Sequence, residues 1–301
     1  MLKDVSFSLY LCLKPKLLRL DYALTTLLNM KKGILMLIVI AAIFVAILSS
    51  IYMSYFRLGP MATLAIDSGT VQFNSGNSWQ DAKSGMTLKQ GYSVKTLENS
   101  AAKIIFSDSV MRLDQNTEIA IDTLTRNSVS LSQIAGQTWN KLLKISGISF
   151  YEVKTPDAIA TVRGTAFSVS IGSGTDIAVA EGNVSAQING KDIIEIIEAN
   201  KEVVINKEDN SINKIDIIVN EWITKNMQLD EQQKQAIKQR ILEKYGTLIN
   251  KVKSSEGMTD ADIDQLLTEW IDGKHSIKQA IEDGTISSSL AKLIPAEFKR
   301  Y

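Results

Sequence analysis

Between residues 62 and 206 apolar and polar positions alternate with a period of two in short runs. The breaks between runs are Ser68-Gly69, residues 74–78 (NSGNS), Ser84-Gly85, Gln90-Gly91, residues 98–100 (ENS), residues 107–109 (SDS), Ser146-Gly147, residues 172–174 (GSG), residues 181–183 (EGN) and Asn189-Gly190. Strand-like runs cut by turn residues at this spacing predict an all-β region. In TDIAVAEGNVSAQING, Ile177 and Val179 alternate with small residues and Val184 resumes the pattern, so Gly182 is expected to turn a hairpin. Residues Trp139–Ile145 are the one stretch here with a short helical pattern.

The run TPDAIATVRGTAFSVS, residues 155–170, resists a regular strand. A strict period of two puts Arg163 on the face of Ile159, Phe167, Val169 and Ile171, which would bury an unpaired guanidinium in hydrocarbon. A β-bulge at Gly164 shifts the pleat by one residue. Ala160 and Val162 then face inward before it, Thr165, Phe167 and Val169 face inward after it, and Arg163 points out. The outward guanidinium either bridges an adjacent turn or is presented to a partner.

After residue 212 the period changes to about 3.6. From Asp230, the positions Ile237, Ile241, Leu242, Tyr245, Leu248, Ile249 and Val252 recur at helical spacing, and Glu256-Gly257 ends that helix. Thr259 is expected to cap a second helix with Asp262 three residues on, and Ile263, Leu266, Leu267, Trp270 and Ile271 form its apolar face. Shorter helices are predicted at Ser276–Glu282 and Ser287–Ile294, the last stopped by Pro295.

Near the N-terminus the pattern is continuous rather than periodic. Residues Gly33–Phe56 carry no charge, and about 20 apolar residues suffice to cross a bilayer as a helix. Lys3, Lys14, Lys16, Arg19, Lys31 and Lys32 precede this run and Arg57 alone follows it closely. That asymmetry predicts a single-pass anchor with residues 1–32 as a cytoplasmic tail and residues 57–301 outside the cytoplasm. Tyr52, Tyr55 and Phe56 would sit at the outer interface. The rival reading is a cleaved signal, with translation starting at Met30; the length of the run and the lack of a small-residue cleavage site weigh against it.

Composition narrows the chemistry. The 301 residues are 45% hydrophobic, enough for a sizeable core, and 33 basic side chains balance 33 acidic ones, which argues against bulk nucleic-acid binding. Cys12 and His275 are the sole cysteine and histidine. An intrachain disulfide and an ordinary His/Cys zinc site are therefore excluded, and a Ser-His or Cys-His nucleophile would have to use His275, placed between two predicted helices. Asp260, Asp262 and Asp264 have the spacing of the first calcium-loop ligands, but Gln265 and Ile271 stand where that loop needs glycine and glutamate. The three acids fit the positive end of a helix instead. Gly172 and Gly174 lack the remaining residues of a phosphate loop and fit a hairpin turn. Trp79, Trp139, Trp222 and Trp270 are too dispersed for a stacking row, and Asn183-Val184-Ser185 forms a glycosylation sequon.

TPDAIATVRGTAFSV followed by GTDIAVAEGNVSA resembles the FecR domain family, named for extracytoplasmic sensors of iron-citrate uptake. GTVQF, the Gly85-x-x-Leu88-x-x-Gly91 step and VSLSQIAGQTW precede that run in the family's order, so the resemblance covers residues 62–206. One departure lies at IEANKEVVI, where the family often has a glycine near Asn200. The resemblance implies an all-β, elongated or solenoid-like domain outside the membrane that works through protein contacts or ligand sensing, without a cofactor. Thr155, Pro156, Val162, Arg163, Gly164 and Thr165 form its candidate structural motif, with Gly182 as the associated turn. Sensors of this family carry a folded cytoplasmic region that controls a sigma factor, and residues 1–32 cannot bury a comparable core.

The expected architecture is thus a short cytoplasmic tail or start-site artefact at 1–32, a transmembrane helix at 33–56, a FecR-like β-domain at 62–206 and a helical region at 212–301. The expected role is a non-enzymatic, membrane-anchored binding or scaffold module for other envelope or membrane proteins, with an extracytoplasmic sensor of a transmembrane signalling system as the alternative.

Overall fold

The computed structural model describes residues 62–190, 193–206, 208 and 211–273. The expected span at 33–56, Cys12, His275 and the helices expected at 276–282 and 287–294 lie outside the described residues. Among the described residues no helix is long and apolar enough to cross a membrane. The strands and helices described below all fall in one compact unit, Pro60–Tyr301.

In chain order the strands are β1 (Ala62–Ser68), β2 (Val71–Asn74), β3 (Trp79–Asp81), β4 (Thr87–Leu88), β5 (Ser93–Thr96), β6 (Ala101–Phe106), β7 (Ser109–Leu113), β8 (Glu118–Leu124) and β9 (Ser128–Lys141). They continue as β10 (Phe150–Lys154), β11 (Ala158–Val162), β12 (Ala166–Ile171), β13 (Gly174–Glu181), β14 (Asn183–Ile188), β15 (Ile194–Glu198), β16 (Lys201–Asn206) and β17 (Ile212–Asp216). Helices α1 (Glu221–Glu256) and α2 (Asp260–Ile271) follow. The protein is therefore mainly β with a C-terminal helical layer.

The strands form two sheets. The first runs β4-β1-β6-β7-β9-β12-β13-β16-β17 and is antiparallel throughout. The second runs β3-β2-β5-β8-β9-β10-β11-β14-β15 and is antiparallel except where β9 and β10 pair in parallel. Strand β9 belongs to both: its first half pairs with β8 and β10, its second half with β7 and β12. One core joins the sheets, with Leu64, Ile104, Met111 and Phe167 from the first facing Val94, Ile119, Leu131 and Val184 from the second. A polar seam crosses this core, in which Tyr151 Oη donates to Asn140, Asn140 Nδ2 to Thr138, and Thr138 Oγ1 to Gln133. Every buried partner in that seam is paired, which satisfies its desolvation.

The chain passes sharply from sheet to sheet at residues in the left-handed region: Gly69 (φ 71°), Asn99 (φ 55°), Asn116 (φ 54°), Gly136 (φ 81°), Gly164 (φ 67°), Gly182 (φ 81°) and Asn200 (φ 65°). Glycine and asparagine are the residue types that tolerate this conformation. Hydroxyls next to these corners tie neighbours together. Thr70 N–H donates to Ser100 Oγ at 2.8 Å, Gln137 N–H to Thr117 Oγ1 at 3.0 Å, and Thr165 Oγ1 to Asn183 O at 3.1 Å.

Three sequence expectations change here. Gly164 makes a corner rather than a bulge, because β11 pairs in the second sheet and β12 in the first. The pleat shift has the same outcome: Ala160, Val162, Thr165, Phe167 and Val169 are buried and Arg163 is exposed. Gly182 turns no hairpin, since β13 pairs with β12 and β16 while β14 pairs with β11 and β15. Gly182 and a hairpin glycine share the same conformational signature, and only the distant pairing tells them apart. Residues 139–141 are strand, and a single 3₁₀ turn at Lys144–Ser146 replaces the helix expected over 139–145.

Helix α1 starts at Glu221, earlier than the periodicity from Asp230 indicates, with Asn220 accepting from Ile223 N–H at 3.0 Å. It ends at Gly257 (φ 67°) as expected. Helix α2 carries the expected capping box, Thr259 with Asp262. At the far end of the sandwich Lys214 of β17 reaches across to β15, bonding Glu195, Glu198 and the carbonyl of Ile196. A charged side chain spent in this way blunts an open strand edge.

The corner geometry yields a graded prediction. A Cβ on Gly136 would lie 2.5 Å from Thr117 Cα and 2.6 Å from Asn116 O, whereas one on Gly190 (φ 73°) meets nothing within 4 Å. Gly190→Ala should cost about 1 kcal/mol for conformation alone. Gly136→Ala should cost distinctly more, because backbone must move as well. Urea unfolding of both variants checks the order.

Candidate binding site

The outer face of the first sheet is covered at its centre. Strand β7 is buried at every position and so are the last four residues of β9, Thr138 to Lys141. Arg112 and Trp139 are cross-strand neighbours on this face, and Trp139, Ala166 and Ala178 pack against Ile223 of α1. Asp230, two turns further along α1, receives Arg112 Nη1 at 2.5 Å on one oxygen and Trp139 Nε1 at 2.9 Å on the other. Arg112 and Asp230 are 8% and 7% exposed, so both charges are desolvated and depend on each other.

More polar contacts extend this clamp. Gln233 Nε2 donates to Asp108 O at 2.7 Å and Arg240 pairs with Asp108 at 2.7 Å. Lys234 pairs with Asp272 and Lys238 with Asp264, both at 2.7 Å, joining α1 to α2 and the residue after it. On the sheet Lys141 pairs with Glu181. Leu143, Ile237 and Ile271 form a small apolar cluster between the helices and the loop after β9.

Burial pushes the Asp230 carboxyl above its ordinary value of 3.8, against the opposing pull of the Arg112 guanidinium, Lys141 and the Trp139 indole. Burial also raises the Asp176 carboxyl, helped by the nearby Glu202 charge.

Beside the clamp α1 overhangs β1, β6 and β7 without closing on them. A cleft of about 730 Å³ opens there. Its floor is formed by Ala101, Ile105 and Val110 of β6 and β7, its wall by Trp222, Asn226 and Leu229 of α1, with Lys103, Arg112 and Lys225 bringing positive charge. The lining is mostly apolar with a few convergent polar groups.

The sequence-nominated residues lie elsewhere. Thr155 and Pro156 form the β10–β11 turn, where Thr155 Oγ1 accepts from Ala158 N–H at 3.0 Å and donates to Ala158 O at 3.0 Å. Asn189 Nδ2 donates to both Thr155 O and Pro156 O, and Thr175 Oγ1 donates to Asp157 at 2.8 Å, so this turn knits three loops together. Val162 is core, and Thr165 and Gly182 belong to one corner. Arg163 is exposed and makes no ion pair or hydrogen bond among the described residues, so of the two roles open to it the bridge to an adjacent turn is not formed there. Gly164 has a second role: a Cβ there would lie 2.4 Å from Lys144 Cγ, and Lys144 Nζ donates to Gly273 O at 3.3 Å. The missing side chain leaves the path by which Lys144 reaches the end of α2.

Sequence reasoning missed Arg112, Asp230, Trp222 and Asn226. The partners Arg112 and Asp230 are 118 residues apart, and the available signal was an arginine within the strand SVMRL. The three aspartates after Thr259 have separate structural partners: Asp260 pairs with Lys253, Asp262 caps Thr259 and Asp264 pairs with Lys238. Among the described residues no group of three or more His, Cys, Asp or Glu is placed to hold a metal.

Comparison with known proteins places a FecR domain, described as "FecR protein", at residues 92–185, from just before β5 into β14. The chain is also similar to a "putative anti-sigma factor" from Parabacteroides distasonis ATCC 8503, seen in two crystal structures, with 16% identity and a TM-score of 0.37. The similarity covers 41% of this chain and 59% of the other. No curated protein matches.

Two predictions test the clamp. Arg112→Ala leaves the Asp230 charge buried and should cost about 3–5 kcal/mol in urea unfolding, whereas Arg112→Leu combined with Asp230→Leu should cost much less than the two single changes added. The second concerns pH. An acid whose folded-state value is raised takes up its proton in the folded protein first, so its contribution to stability grows as pH falls through that value toward 3.8. Over this window the stability difference between wild type and Asp230→Asn should shift in favour of the wild type. The opposite slope would mean that the Arg112 attraction outweighs burial.

Proposed function

We propose that this chain is a membrane-anchored, extracytoplasmic binding module. Residues 33–56 act as anchor, residues 57–301 lie outside the cytoplasm, and the sandwich with its helical layer serves as a docking platform for other envelope or membrane proteins. The observation that carries this reading is the cleft held open beside the Arg112–Asp230 clamp: buried structural charges fix its wall, and its apolar floor is available to a partner. The FecR domain at residues 92–185 supports an extracytoplasmic role and favours one second reading, in which partner binding is relayed through the anchor as a signal. No catalytic step is assigned to the module.

Photo-crosslinking in intact cells tests the proposal. A photoreactive amino acid replacing Leu229 or Ile105, both of which line the cleft, should give discrete adducts with envelope proteins, while one replacing Glu243 should not. Protease added to the outer side should remove the region beyond residue 57. Adducts confined to cytoplasmic proteins, or a protected C-terminal region in sealed vesicles, would contradict the proposal.

A further inference from the structure

Trp222 and Asn226 stand one turn apart on α1 and both line the cleft. Asn226 is 1% exposed. Its Nδ2 donates to Trp222 O at 2.9 Å, which orients the amide and leaves Oδ1 buried without a donor. Trp222 Nε1 is likewise buried without an acceptor. Buried polar atoms in folded proteins are almost always paired, and leaving them unpaired lowers stability. Here one unused acceptor and one unused donor belong to two residues that line the same cleft.

Charge gives the third constraint. Lys103 is matched by Asp67 at 2.8 Å and Arg112 by Asp230, whereas Lys225, exposed on the cleft wall, has no ion pair among the described residues. The site therefore offers an apolar floor, a hydrogen-bond donor, an acceptor and one uncompensated positive charge. A helical partner spends its backbone N–H and C=O groups internally and has none to give in its middle. A nucleic acid would call for several unmatched cations along its phosphates. An extended peptide carries free N–H and C=O groups, apolar side chains and room for a carboxylate.

We propose that this cleft is a docking groove for an extended segment of a partner protein, apolar in sequence and bearing an acidic residue. Its backbone would pair with Asn226 Oδ1 and Trp222 Nε1 while its carboxylate meets Lys225. Both α1 atoms are screened from water in the empty cleft, so docking includes a rotation of the half-buried Trp222 indole toward the incoming chain. The inference rests on the binding reading above and names the chemistry of the partner.

The test uses the full chain in detergent micelles and phage-displayed random 12-residue peptides as the probe. Enriched peptides should place an Asp or Glu among apolar residues. In fluorescence anisotropy with synthetic copies, Lys225→Glu and Asn226→Leu should each weaken binding about tenfold or more. Asn226→Leu should keep or raise the melting temperature, since it removes an unpaired polar atom, which separates lost recognition from lost fold. Enrichment of basic peptides, no enrichment, or affinities unchanged by both variants would overturn the inference. Self-association of the chain that Lys225→Glu abolishes would put a second copy in the groove and overturn it too. Cleft cross-links to envelope proteins that persist after such a failure would leave the binding reading standing and remove only its extended-peptide form.

Discussion

Where the chain leaves one sheet for the other within a residue or two its pleat must reverse, and here each such reversal is made at a residue in the left-handed region. This constraint organises the sandwich. Glycine or asparagine occupies each sharp crossing from Gly69 to Asn200, and the corners nest so closely that a Cβ on Gly69, Gly136 or Gly182 would press on the backbone of an adjacent corner. Side-chain hydroxyls at Ser100, Thr117 and Thr165 then satisfy polar groups that the interrupted ladders leave over. The two faces of the core come into register because the crossings do.

The helical layer answers a different problem. A sheet buried on one face can leave the other to water, but Trp139, Ala166 and Ala178 make the outer face of the first sheet apolar at its centre. Helix α1 covers that patch with few apolar side chains of its own. Its position is specified instead by Asp230, which two donors from adjacent strands hold in place. A buried ion pair adds little net stability compared with a hydrocarbon contact, yet a displaced one is costly, so it fixes where the helix lies. The cleft follows from that placement, since α1 is held at the centre of the sheet and overhangs its β1–β6–β7 side.

Much of this was legible in the sequence. Alternation and turn residues identify the β region, the Glu256-Gly257 stop and the Thr259 cap mark the helices, and the outward Arg163 follows from the pleat argument. What could not be read locally was destination. Gly164 and Gly182 look like a bulge and a hairpin because the left-handed conformation is common to bulges, turns and corners, and only pairing partners far along the chain distinguish them. The start of α1 was hidden for a related reason: its sheet-facing side carries Asn226 and Asp230 where a helical pattern leads one to look for hydrocarbon. Recognising those polar residues as buried requires knowing that Arg112 and Trp139 wait on the sheet opposite.

The cleft depends on α1 being docked as a fixed part of the folded unit. Native-state amide hydrogen exchange measures this directly, residue by residue. Amides between Ile223 and Gln233 should exchange only with global unfolding, with protection matching that of β7 and the second half of β9. Fast exchange over Ile223–Gln233 while β7 stays protected would mean that the helix detaches on its own, and the clamp would not hold the cleft as described.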